Sequence, residues 1–137
     1  MSNMKKTVKH ISFLLGFLLM ALSPSCTEGL GDPETDPKEK FIGTWTVREE
    51  SPGIIQNYTS NVSKDPANTS RVLIGNIFNL DAPIPALVTG NSLTLVNSNI
   101  SGFEIKGTGL YSGGSFVLNY TSNDGSGSRQ VKATYSN

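Results

Sequence analysis

From Phe41 to the end of the chain, apolar residues recur at every second position, in short runs cut by Gly, Pro, Asn, Asp and Ser. A period of two marks half-buried strands, and no window here keeps the 3.6-residue period of an amphipathic helix. In the first run, Phe41 to Glu49, the residues Phe41, Gly43, Trp45 and Val47 fall on one face and Thr44, Thr46 and Arg48 on the other. Ser51-Pro52-Gly53 turns the chain into a second run, Ile55 to Ser63. Asp65-Pro66-Ala67-Asn68 turns it into a third, Arg71 to Leu80, which Asp81-Ala82-Pro83 ends. Ile84–Thr89 and Ser92–Val96 flank Gly90-Asn91, a tight-hairpin signal. Phe103–Tyr111 and Ser115–Ser122 flank Gly113-Gly114, and Arg129–Ser136 follows a Gly/Ser loop. The pattern predicts eight short strands in the 97 residues 41–137.

Eight antiparallel strands in simple succession have two main solutions, an up-and-down barrel and a two-sheet sandwich. A Greek key needs a long crossover, and no connection here is long, so the all-β fold expected is an eight-stranded antiparallel up-and-down barrel. An orthogonal sandwich is its nearest rival. Closure removes the edges that Thr- and Val-rich strands would otherwise expose. Gly107 and Gly109, within one strand, suit the sharp bends of a small barrel.

The opposite pattern stands at the start. Lys5, Lys6 and Lys9 precede a 12-residue apolar run, Ile11 to Leu22, and then Ser23-Pro24-Ser25-Cys26. The run is too short to span a bilayer as a mature helix and has the order of a secretory signal peptide, residues 1–25. Cys26, the chain's only cysteine, stands where a bacterial lipoprotein is cut and acylated. Several acyl chains, at about 0.8 kcal/mol per buried methylene, make a stable anchor. Ser23 holds the place three residues before Cys26 where Leu is commoner; such loosened sites resemble those of Bacteroidota lipoproteins. A non-lipidated secreted chain and a retained membrane helix are the other readings.

Processing would change the charge balance. Removing residues 1–25 takes three of the eleven basic residues and none of the eleven acidic ones, leaving a net charge of −3. His10, the only histidine, leaves as well. A mildly acidic chain without a basic cluster argues against nucleic acid as a partner. Residues 26–40 read as a disordered tether carrying the acids Glu28, Asp32, Glu34, Asp36 and Glu39, with one apolar residue between Thr27 and Lys40, Leu30. Such a segment cannot bury enough surface to offset the cost of ordering. An acidic stretch directly after the lipid-bearing Cys also resembles the surface-export signal of Bacteroidota lipoproteins. The domain plan is therefore a signal peptide (1–25), a lipidated tether (26–40) and a barrel (41–137), and the expected location is the outer membrane, lipid-anchored, at the cell surface.

Phe41-Ile42-Gly43-Thr44-Trp45 resembles the Gly-x-Trp signature of the calycins, the class of lipocalins and avidins. With Ser70-Arg71-Val72-Leu73-Ile74 and Gly109-Leu110-Tyr111, the domain is similar to small calycin-like lipoproteins of Bacteroidota, most without an assigned function. The resemblance implies that Trp45 lies across a closed end of the barrel and stacks on a basic residue of the last strand, for which Arg129 is the match. Lipocalins' other signature segments are missing and the domain is shorter than theirs. Trp45 also reads simply as a large core residue at a strand start.

Catalytic chemistry is sparse. Without His or a free thiol after processing, Ser-His-Asp, Cys-His and His-based metal sites are excluded from the mature chain. Glu49 and Glu50 are adjacent on a strand and point to opposite faces, so they cannot form an acid/base pair. Asp124-Gly125-Ser126-Gly127-Ser128 lacks the spaced carboxylates of a calcium loop and reads as a hairpin tip. The expectation is a protein that is not an enzyme, with no catalytic or metal residues and no cofactor. Two functions remain: a binder of a small apolar or amphipathic ligand in the barrel mouth, and a protein-interaction or inhibitor-type accessory module with a filled barrel. Tyr58, Phe78, Tyr111 and Tyr120 are the candidate ligand contacts. The many inward rings, Trp45, Phe103, Phe116 and Tyr135 among them, predict a mostly filled interior.

Overall fold

The computed structural model describes residues 35–137; the signal segment, Cys26 and the tether as far as Glu34 lie outside the described residues. Nine strands follow in chain order: β1 (Gly43–Ser51), β2 (Ile54–Lys64), β3 (Arg71–Ile74), β4 (Ile84–Thr89), β5 (Ser92–Leu95), β6 (Ser98–Ile100), β7 (Phe103–Ser112), β8 (Ser115–Asn123) and β9 (Ser128–Ser136). All pairings are antiparallel. β1 to β5 form one meander, β6 to β9 another, β9 pairs with β1, and β5 pairs with β7. Those last two pairings close eight strands into a barrel and exclude the sandwich.

The ninth strand, β6, was hidden in the connection after Val96. It continues the edge that β5 presents to β7. Thr94 faces Thr108 and Ser98 faces Ile105, four steps on one side against three on the other. The extra residue is what a bulge inserts, and it bends the strand at the barrel rim.

Two strand boundaries differ from the pattern for backbone reasons. Phe41 is not in β1; it ends a short 3-10 turn, Glu39–Phe41. Gly43 follows at φ 137°, a conformation other residues rarely adopt, and this swings Phe41 under the barrel before the strand begins. The third run stops at Ile74 rather than Leu80. Asn76, Phe78, Asn79 and Asp81 all have φ between 53° and 55°, which ends extended pairing, and a 3-10 turn covers Ile77–Asn79.

Order also begins before residue 41. Asp36 accepts hydrogen bonds from the Lys38 backbone N–H (3.0 Å) and ammonium (2.7 Å). Lys64, at the end of β2, pairs with Glu39 and, at 3.7 Å, with Asp36. Residues 35–40, assigned to the tether by composition, are thus docked on the barrel.

The core follows the alternation. Trp45, Val47, Val62, Val72, Ile74, Ile105, Phe116, Leu118 and Tyr135 are all buried. Gly107 shows why a strand here needs glycine. A Cβ at Gly107 would stand 2.2 Å from the Asn119 carbonyl oxygen and 2.5 Å from the Tyr120 Cβ, so the strands β7 and β8 close only without it.

Candidate functional site

The strand registers define two ends. One end holds Gly43, Lys64, Ser92, Ser112 and Ser136; the other holds Ser51, Ile54, Phe103, Asn123 and Ser128. The first is sealed by rings. Phe41, fully buried, meets Tyr111 edge-on at 5.5 Å and Phe116 at 5.4 Å between centroids. Trp45 meets Phe116 edge-on at 5.0 Å, and Phe116 stacks on Tyr135 at 4.2 Å. The Trp45 indole N–H donates to the Phe41 carbonyl at 2.8 Å, which fixes the plug to the wall. Trp45 is 2 % exposed and a core residue of this end.

Arg129 does not stack on it. The β1–β9 register sets Thr46 opposite Ser136 and Glu50 opposite Lys132, which carries Arg129 to the far end of the barrel. The expected Trp–basic pair is replaced by Trp45 on Phe116. The cation found among the rings of this end is Lys40, whose Nζ stands 5.7 Å from the Tyr111 ring centroid. Tyr111 accordingly belongs to the closed end, apart from the other three candidate ligand contacts.

The second end is polar inside. Glu49 is 2 % exposed and lies within the barrel. Its Oε1 accepts from Gln56 Nε2 at 2.6 Å, and its Oε2 accepts from the Tyr58 hydroxyl at 2.6 Å and from the Tyr120 hydroxyl. A buried carboxylate is tolerable because three donors replace its water. Burial first, then neighbouring Tyr135 and Glu49, holds the Tyr58 phenol well above its ordinary range. Burial and the Glu49 charge do the same to Tyr120 and Tyr135.

Tyr135 links the two ends. Its ring stacks at the closed end, while its hydroxyl reaches the neighbourhood of Ser60 and Tyr58 and, among the described residues, completes no hydrogen bond. The Ser60 hydroxyl is turned to the Gly75 carbonyl (2.6 Å) and Tyr58 to Glu49.

Above this cluster the barrel opens. A cleft of about 390 Å³ is lined by Phe78, Phe103, Ser122 and the β8–β9 hairpin from Asp124 to Arg129. Phe78 meets Phe103 at 5.4 Å and Tyr120 at 6.4 Å between centroids, so one ring joins the cleft wall to the Glu49 cluster. Phe78 does this at φ 55°, ψ 22°, a left-handed conformation that is an outlier for a bulky residue. Such a backbone costs on the order of 1–3 kcal/mol and persists where the surroundings dictate it. The hairpin is shaped by Asp124, which accepts from the Ser126 N–H (2.9 Å) and hydroxyl (2.6 Å). Those bonds, and more weakly the Arg129 charge, hold its carboxyl below the usual range.

Tyr58, Phe78 and Tyr120 therefore gather at the open end, and Arg129 joins them on the cleft rim. Glu49 is the member that sequence reasoning passed over. Extending the alternation Phe41, Gly43, Trp45, Val47 by one more step places it inward; the signal was present and its charge masked it. Ser122 and Phe103 reach the cleft through the β7–β8 pairing.

Compared with protein-family models, with curated proteins and with solved structures, the chain matches none. The geometry of the two ends carries the functional reading alone.

Proposed function

We propose that this chain is a lipoprotein, anchored through Cys26, that holds a small apolar or amphipathic ligand at the open end of its barrel. The observation that carries this reading is the cleft of about 390 Å³ at the mouth, where two phenyl rings face a hydroxyl-rich hairpin. Its size falls in the range of small-molecule sites, roughly 300–1,000 Å³. The strained Phe78, placed over Tyr120, is the kind of backbone outlier that concentrates at binding sites. The closed end supports the same reading from the other side: its rings make a floor, and the described chain approaches at that floor, through Lys38, Lys40 and Phe41. On this reading the function is non-catalytic, which is supported by the Glu49 oxygens being occupied by three donors and by Glu49 not lining the cleft.

The accessory-module reading draws on one observation, the apolar β1–β2 tip at the same end, where Ile54 and Ile55 are 45 % and 62 % exposed. Thermal melting separates the two. A ligand at about 100 times its dissociation constant adds roughly 2.7 kcal/mol, several degrees for a domain of this size. A panel of hydrophobic probes and small metabolites is expected to give such a shift with at least one member. A flat panel transfers the mouth to the protein-docking reading. Anchoring is tested apart from this: Cys26→Ser should move the protein from membrane to soluble fractions, and unchanged partition would refute it.

A further inference from the structure

We infer that the mouth cleft selects small organic anions, a carboxylate carried on an aryl or short apolar body. The inference rests on the mouth being the ligand site and adds the charge of what it takes. One wall supplies the apolar contact: Phe78 and Phe103 meet at 60° and both line the cleft. The facing wall supplies donors. Ser122 is 3 % exposed, lines the cleft, and has no side-chain hydrogen bond among the described residues to occupy its hydroxyl. Ser128 stands beside it on the next strand end.

Arg129 supplies the group that an acid head would meet. Arg129 lines the cleft, and among the described residues no carboxylate lies within ion-pair distance of it. Its guanidinium offers a planar fork of donors that matches a carboxylate in two bonds. Two acids already have oxygens held by neighbouring donors. Asp124 turns an oxygen to the Ser126 N–H and hydroxyl, and Glu49 is held by Gln56, Tyr58 and Tyr120. The cleft therefore presents hydroxyl donors, two rings and the Arg129 guanidinium, whose charge is also felt by Asp124 on the same hairpin. An anion whose apolar body lies on Phe78 and Phe103 while its head reaches Arg129 and Ser122 uses all of them.

Calorimetry on the chain from residue 26 carrying Cys26→Ser, with 4-phenylbutyrate, 4-phenylbutan-1-ol and 4-phenylbutylamine as probes, tests this. The acid is expected to bind about tenfold more tightly than the alcohol, 1.4 kcal/mol, and the amine most weakly. Arg129→Gln should bring acid and alcohol to equal affinity. Phe78→Gly, which keeps the left-handed backbone, should weaken both alike. Equal affinities in the unmutated chain, both lost in Phe78→Gly, would overturn the anion selectivity and leave the ligand site standing. A preference for the acid that survives Arg129→Gln would overturn the assignment of Arg129, and preference for the amine would hand the cleft to Asp124. No binding of any probe would overturn the selectivity together with the ligand-site reading.

Discussion

The two ends of this barrel use aromatic residues in opposite ways. At the closed end Phe41, Trp45, Phe116 and Tyr135 meet ring to ring, with centroids 4.2–5.4 Å apart, and the indole N–H is spent on the backbone of the plug. At the open end Tyr58 and Tyr120 turn their hydroxyls to a buried carboxylate, and Phe78 and Phe103 stand at the rim of a cleft. The first arrangement removes apolar area from water, which stabilises without selecting anything. The second immobilises polar groups at a cost in burial that only complete hydrogen bonding offsets. One end holds the fold, and the other holds a shape.

Substitutions sharpen this contrast, and the closed end should respond most. Trp45→Ala removes the largest side chain from a packed site and is expected to cost about 3–5 kcal/mol in urea unfolding. In a small domain that is a large share of the total stability. A cost near that of a surface change would mean the floor is not packed as described.

Alkaline pH probes the other end at a comparable scale. Tyr58, Tyr120 and Tyr135 have phenols raised in the folded state, whereas in the unfolded chain they ionise near the ordinary value of about 10. A raised folded pKa contributes stability that is fully present below the unfolded value and is lost as pH rises above it. Each phenol should remove about 1.4 kcal/mol per pH unit above pH ~10, roughly 4 kcal/mol per unit for the three together. Phenolate absorbance should show these three ionising together with unfolding. Independent titration of Tyr58, Tyr120 and Tyr135 near the ordinary value would contradict the buried cluster.

Much of the closed end was legible in the sequence, and less of the open one. Alternation placed Trp45, Phe116 and Tyr135 inward because apolar burial obeys the strand period with no other condition. Glu49 obeys the same period but is buried only because Gln56, Tyr58 and Tyr120 arrive from two other strands, and no local pattern announces that. Arg129 was placed at the wrong end for a related reason: which end a residue occupies depends on the register between β1 and β9, set by turns far from either. Phe78 was read as extended because its neighbours are apolar, while the backbone at Asn76 and Asn79 had already left the sheet.

Glu49→Leu separates fold from polar cluster. It orphans three donors at about 1 kcal/mol each, so a loss of about 3 kcal/mol is expected, while Glu49→Gln keeps an acceptor for the two tyrosines and should cost less than half of that. Equal costs would mean that the hydrogen bonds contribute little. Smallest of all, Arg129→Gln should leave unfolding within about 0.5 kcal/mol, as exposed substitutions do. A larger loss would make Arg129 part of the framework, not of the mouth.

One end is a sealed floor, and the proposed function makes the other the ligand site. Backbone amide NMR during titration with 4-phenylbutyrate tests it most directly. Shifts are expected at Phe78, Phe103, Ser122 and residues 124–129, with the Trp45 indole N–H and the amides of Phe41 and Tyr111 unmoved. Shifts centred on the closed end, or a spectrum unchanged at millimolar probe, would contradict it.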